Sequence, residues 1–130
     1  MSVTATVVRT GMSASANAIT AAILLGVSER FRGQIVLWRN NRIDAMVKGR
    51  GGKMRRVTAG INGQADLTGI MASTGRRIEI EVKAGKDRQS PEQCAFGLMI
   101  QKHGGLYLVA RDAEQCLWHL QNILDGMLAQ

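Results

Sequence analysis

Arg77-Ile78-Glu79-Ile80-Glu81-Val82-Lys83 is the stretch that decides the fold. Ile78, Ile80 and Val82 alternate strictly with Glu79, Glu81 and Lys83, the period-two pattern of a strand with two unlike faces. Taken alone, the charged face reads as the wet side of an edge strand carrying a cross-strand ion pair. Downstream, Gly85 to Gln89 is a polar loop, and Ser90-Pro91-Glu92-Gln93 opens a helix expected to run to about Lys102. Ser stands at its N-cap, Pro at its first position and Gln at its third. After His103-Gly104-Gly105, Leu106 to Ala110 is a fully apolar strand, and Asp112 caps a last amphipathic helix with Cys116, Leu117, Leu120 and Leu124 on one face. Upstream, Asp66 to Met71 is a short strand closed by the turn Ser73-Thr74-Gly75.

Further out, Ile19, Ala22, Ile23 and Val27 recur at helical steps, predicting a helix over Ser13 to Phe31 capped by Ser13 or Ser15. Ile35 to Trp38 reads as a short buried strand. Ile43 to Val47 and Met54 to Thr58 read as a hairpin around Gly49-Arg50-Gly51-Gly52. Residues 1–12 are expected to form an N-terminal arm and residues 13–130 one domain. The fold class is α/β, a mixed central sheet covered by helices on both faces.

The chain has 130 residues, 45% of them hydrophobic, enough to build one core and too few for a multidomain enzyme. Its formal charge is +7. From Arg30 to Arg56 nine basic residues stand against the single acid Asp44, so the excess is concentrated in one segment. Such a segment suits a polyanion, nucleic acid before membrane, although a solvated basic face has the same composition. Cys94 and Cys116 lie at helical apolar spacing and read as buried, reduced thiols; with His103 and His119 they match no closed zinc site. The apolar run Ala18 to Gly26 is too short to span a bilayer and no secretory signal is visible, so the expected compartment is cytoplasmic.

The chemistry resides in Asp66 and, fifteen residues on, Glu81-Val82-Lys83. Residues two apart in a strand project from one face, so Glu81 and Lys83 point together, and a neighbouring strand brings Asp66 alongside. Two close carboxylates resist ionisation unless a cation lies between them, and Mg²⁺ takes such oxygen ligands. A lysine beside them suits phosphodiester hydrolysis. Gln93 either completes the capping box or reaches this site.

Gly63-Gln64-Ala65-Asp66-Leu67-Thr68-Gly69, Ile80-Glu81-Val82-Lys83, Ser90-Pro91-Glu92-Gln93 and Gly104-Gly105-Leu106-Tyr107-Leu108-Val109-Ala110 resemble the VRR-NUC family, the virus-type replication-repair branch of the PD-(D/E)XK nucleases. Trp38-Arg39-Asn40 resembles the basic strand that precedes the metal motif in this group. The resemblance runs from about Ser15 to Leu120 and implies a restriction-endonuclease-like αβββαβ core. It implies Asp66 and Glu81 as ligands of Mg²⁺ or Mn²⁺ with the Val82 carbonyl as a third. It further implies Lys83 as catalytic lysine and Gln93 as a helix glutamine near the scissile phosphate. Glu79, on the face of Glu81, is left as a partner of Lys83 or of a second metal. The resemblance implies a homodimeric, structure-specific endonuclease acting on branched DNA such as four-way junctions, in a bacterial or phage-infected cell. Two symmetric cuts require two active sites. Arg39, Arg42, Arg50, Lys53, Arg55 and Arg56 would contact phosphates, with Lys86 and Arg88 beside the active strand. One departure stands out: the family's first-helix Glu has no counterpart, and Asn17 occupies the matching stretch. The alternative is therefore a nucleic-acid-binding module on a nuclease scaffold with weak or no cleavage.

Overall fold

The computed structural model describes residues 14–41 and 43–128. The expected arm over residues 1–12, the alternative cap Ser13 and the phosphate contact Arg42 lie outside them. Helix α1 spans Ala16–Arg30, and Ser15 caps it by accepting the Ala18 N–H at 3.1 Å. Strands β1 (Ile35–Arg39), β2 (Ile43–Lys48), β3 (Met54–Ala59), β4 (Leu67–Met71) and β5 (Arg77–Val82) follow, then helix α2 (Pro91–Lys102), strand β6 (Leu106–Ala110) and helix α3 (Ala113–Leu128). Asp112 accepts the Gln115 N–H at 3.0 Å, capping α3 as its position predicts.

Strands β1, β4, β5 and β6 form one sheet in that order. The first two pairings are antiparallel and β5–β6 is parallel. A parallel pair needs a crossover, and α2 supplies it. Strands β2 and β3 form a separate two-stranded antiparallel ribbon. On one face of the main sheet, Ile78, Ile80 and Val82 of β5 pack with Ile19, Ile23 and Val27 of α1 and with Cys116, Leu117 and Leu120 of α3. On the other, Phe96 and Ile100 of α2 bury with Ala65 against Tyr107 of β6. The Phe96 and Tyr107 rings meet edge to face, centroids 6.3 Å apart. Gly97 lets them: a Cβ there would strike the Tyr107 ring.

Three expectations change. Strand β5 is internal, with β4 and β6 on either side, so its carboxylate face is not a wet edge; Glu79 and Glu81 are buried. Strand β1 is the edge instead, and of its residues only Ile35 is buried, because Val36 and Trp38 face the side of the sheet where α2 sits over β5 and β6 only. Cys94 is exposed near the start of α2, whereas Cys116 is buried among the α1–α3 contacts, which pushes its thiol up to about 12. Among the described residues no helix is long and apolar enough to cross a membrane.

Candidate active site

Register builds the site. Leu67 lies opposite Ile80, which brings Asp66, one residue before β4, to the end of β5 that carries Glu81. The Asp66 Oδ2 accepts the Val82 N–H at 2.7 Å. Glu81, 3% exposed, turns to the α2 side of the sheet. Its Oε1 accepts from Gln93 Nε2 at 3.1 Å and lies 3.7 Å from Lys83 Nζ. Its buried Oε2 has no hydrogen-bond donor among the described residues. Burial pushes the Glu81 carboxyl up to about 8, reinforced by the charge of Asp66 and a hydrogen bond with it; Lys83 pulls the other way without cancelling them. At neutral pH the Glu81 carboxyl therefore keeps a proton that a cation would replace.

Gln93 completes the capping box and also touches Glu81. Its Oε1 accepts the Ser90 N–H at 2.8 Å and its own N–H reaches Ser90 Oγ at 3.1 Å, a complete capping box. The same side chain spends its amide N–H on Glu81, so the helix cap and the carboxylate hold each other in place. Lys83 follows β5, donates its main-chain N–H to the Ala110 carbonyl at 2.9 Å, and lays its side chain, 14% exposed, against Glu81.

Three positioning residues escape a reading of the sequence for chemistry. Asn40 donates its main-chain N–H to the Asp66 carbonyl at 2.8 Å and its side-chain Nδ2 to the Ala65 carbonyl at 3.0 Å, fixing the segment that carries the first carboxylate. Gly63 has φ 78°, and a Cβ there would land on the Glu92 carbonyl and the Gln93 nitrogen, so only glycine lets this loop press against the start of α2. Tyr107 accepts from Gln89 Nε2 at 2.8 Å and donates to the Gln93 carbonyl at 3.4 Å, with its hydroxyl pushed up to about 12, chiefly by burial. Gly63 was visible as a loop glycine, but neither Asn40 nor Tyr107 differs in sequence from ordinary strand residues.

Glu79 is not the partner of Lys83. Its side chain is fully buried, Oε2 lies 3.5 Å from Arg77 Nε, and neither oxygen accepts a hydrogen bond from the described residues. Lys83 pairs with Glu81 instead. Among the described residues no three His, Cys, Asp or Glu side chains converge as a metal set. A cation would rely on two carboxylates, Asp66 and Glu81, and on main-chain oxygen; a Glu81 Oε2 reached by no donor among the described residues, and the proton its carboxyl retains beside Asp66, fit a hard cation there. At Val82 the contact is made by the N–H, to Asp66.

Asn17 is exposed on the first turn of α1, where its Oδ1 accepts from Arg39 Nη2 at 2.8 Å. Arg50, Lys53, Arg55 and Arg56 are exposed on the ribbon and its tip, and Lys86 and Arg88 are exposed in the loop just past Lys83. No protein-family model matches the chain, and no curated protein matches it.

Proposed function

We propose that the protein is a divalent-metal-dependent endodeoxyribonuclease of VRR-NUC type that hydrolyses phosphodiester bonds in branched DNA as a homodimer. The observation that carries this reading is the carboxylate pair at one end of β5, half-buried Asp66 on the Val82 N–H and buried Glu81 held by Lys83 and Gln93. The chain order α1, β1, β4, β5, α2, β6, with the ribbon as an insertion, supports a restriction-endonuclease-like αβββαβ core.

Asp66 and Glu81, with the Val82 carbonyl, would hold Mg²⁺ or Mn²⁺, which supplies Lewis acidity towards phosphate and a nucleophile at neutral pH. To hold the cation, Glu81 would release its proton to solvent. Lys83 faces the same space and stabilises negative charge that builds on the phosphate oxygens during attack. Gln93 keeps Glu81 from turning back to Lys83 alone. The exposed cations of the ribbon and of the Lys86–Arg88 loop hold the phosphate backbone on either side. The cytoplasm, reducing and rich in Mg²⁺, suits this chemistry and the two free thiols.

One observation favours the alternative of a binding module with little cleavage: Asn17 brings no charge to the site and is engaged by Arg39. Incubating a four-way junction and a matched linear duplex with Mg²⁺, Mn²⁺ or EDTA decides between them. Metal-dependent cutting of the junction, lost in Lys83→Ala, is the expected outcome, and light scattering should report a dimer. Tight junction binding without cutting, in either metal, selects the module. In that case Asn17→Glu should raise Mg²⁺ affinity; no change would show that Asn17 is not the equivalent of the family's helix acid.

A further inference from the structure

The β2–β3 ribbon takes no part in the carboxylate chemistry, yet it is bare on both faces. Met46, Val47, Met54 and Val57 are 58%, 47%, 57% and 42% exposed. A lone two-stranded hairpin is only marginally stable in water, so a ribbon with these side chains uncovered requires a partner. Its register sorts them. Met46 opposite Arg56 and Lys48 opposite Met54 share one face; Val47 opposite Arg55 and Ala45 opposite Val57 share the other. At the tip, Gly51 and Gly52 take positive φ and reverse the chain between Arg50 and Lys53.

Charge selects the partner. Lys48, Arg50, Lys53, Arg55 and Arg56 give the ribbon five cations, and its single acid, Asp44, lies at the root end. A second copy would set these cations against their like, whereas a polyphosphate neutralises them. The ribbon also springs from the site itself, because Asn40, just before it, is hydrogen-bonded to Ala65 and Asp66 just after it.

We propose that this ribbon enters the major groove of duplex DNA, beside the phosphodiester that Asp66 and Glu81 face. The B-form major groove, about 12 Å wide, admits a two-stranded ribbon, whereas the A-form groove of RNA is too narrow and deep. Each ribbon face then meets one wall of the groove. Lys48 and Arg56 take phosphates of one strand and Arg55 those of the other. The methionine and valine side chains meet base edges and thymine methyl groups. The location beside the scissile bond rests on the nuclease reading; groove binding itself does not.

The test uses the intact protein in EDTA, with fluorescence anisotropy on a short DNA duplex and an RNA duplex of the same sequence across a salt titration. The DNA should bind at least about tenfold more tightly than the RNA. The variant carrying Lys48→Ser, Arg50→Ser, Lys53→Ser and Arg55→Ser should lower the slope of log affinity against log salt by about 3 to 4, near 0.9 for each lost phosphate contact. Met46→Ser with Met54→Ser keeps the charges and should keep the slope while eroding the preference for DNA. Equal affinity for the two duplexes overturns groove insertion, and an unchanged slope in the fourfold variant overturns the ribbon as the binding element. Loss of self-association with DNA affinity intact assigns the ribbon to a second copy and overturns the proposal as well. Bis(p-nitrophenyl) phosphate, a diester too small to reach the ribbon, keeps the two readings apart. A parent inert towards it with Mg²⁺ and Mn²⁺ would count against the nuclease while leaving the ribbon's binding intact.

Discussion

Strand β5 alternates strictly between apolar and charged residues, the β2–β3 ribbon mixes the two on each face, and their fates are opposite. In β5 the pattern Ile-Glu-Ile-Glu-Val is buried on both sides, apolar residues against α1 and α3, carboxylates under α2. In the ribbon, Met46, Val47, Met54 and Val57 are all bare. Period-two alternation says which side chains share a face and nothing about what covers that face. Burial denies the β5 carboxylates water and raises the Glu81 carboxyl, while the ribbon's lysine and arginine side chains are exposed to solvent. Two kinds of electrostatics, one dry and one wet, thus meet at Asn40 and Asp66.

The sharpest way to break this contrast is to neutralise the dry half. Glu81→Gln removes one of the two carboxylates proposed to hold the cation and should lower cleavage on the order of 10²–10³-fold or more, read as single-turnover rates with saturating Mg²⁺. The same variant tests the direction of the Glu81 shift. Its carboxyl is raised by burial and by Asp66 to about 8 from 4.5, so the folded state holds this proton more tightly than the unfolded chain. The resulting stabilisation is fully present below pH 4.5 and is lost as pH rises through about 8. Parent and Glu81→Gln should therefore respond alike to acid. Towards pH 9 the parent should lose stability relative to the variant by on the order of a few kcal/mol, read from urea melts without metal. Mg²⁺ should reverse that loss, because a cation held by the ionised Glu81 in the folded state would take the place of the lost proton.

Glycine pairs sharpen the comparison next. Gly63 and Gly51 share nearly the same backbone conformation, φ 78° and 76°. Around Gly51 there is open space, whereas a Cβ on Gly63 would collide with the main chain of Glu92 and Gln93. Gly51→Ala should cost about 1–2 kcal/mol from the left-handed backbone alone. Gly63→Ala should cost about 2–4 kcal/mol and slow cleavage, because the added methyl drives the Asp66 loop away from Gln93. Equal costs would mean that the loop and α2 do not press on each other.

Matched threonine substitutions read the two faces directly. Ile80→Thr puts a hydroxyl into the closed core and should cost about 2–3 kcal/mol. Val47→Thr on the open ribbon should change stability by less than about 0.5 kcal/mol. A large loss at Val47 would show that the ribbon is already covered in the free protein.

Much of this molecule is written in short-range patterns. Ser90-Pro91-Glu92-Gln93 specifies the start of α2 because a capping box is satisfied within four residues. Gly49 to Lys53 specifies the hairpin because the turn needs glycines at positive φ. Asp66, Glu81 and Lys83 come together because strand spacing and a single antiparallel register suffice to align them. What was not legible depends on neighbours far along the chain. Nothing near Glu79 says that α2 will roof it, and nothing near Val36 or Trp38 says that α2 will stop short of β1. The pairing of Asn17 with Arg39 joins residues whose neighbours give no hint of each other. Tyr107 belongs to the same class: its place in an apolar strand predicts a buried ring, and only the packed structure shows where the hydroxyl goes.

Tyr107→Phe is the smallest perturbation and the most selective. The ring keeps its edge-to-face contact with Phe96 and its seat over Gly97, so the α2–β6 packing survives. Two hydrogen bonds are lost, from Gln89 to the hydroxyl and from the hydroxyl to the Gln93 carbonyl. Gln89 lies beside solvent and finds water, which limits the stability cost to about 1 kcal/mol. The catalytic consequence travels through Gln93, whose amide then holds Glu81 less firmly. Cleavage should slow several-fold in single-turnover rate, with DNA affinity in EDTA unchanged, since no ribbon residue is touched. A stability loss without a rate change would confine Tyr107 to packing. A change in DNA affinity would mean that the two halves of the molecule are coupled through α2 rather than joined only at Asn40 and Asp66.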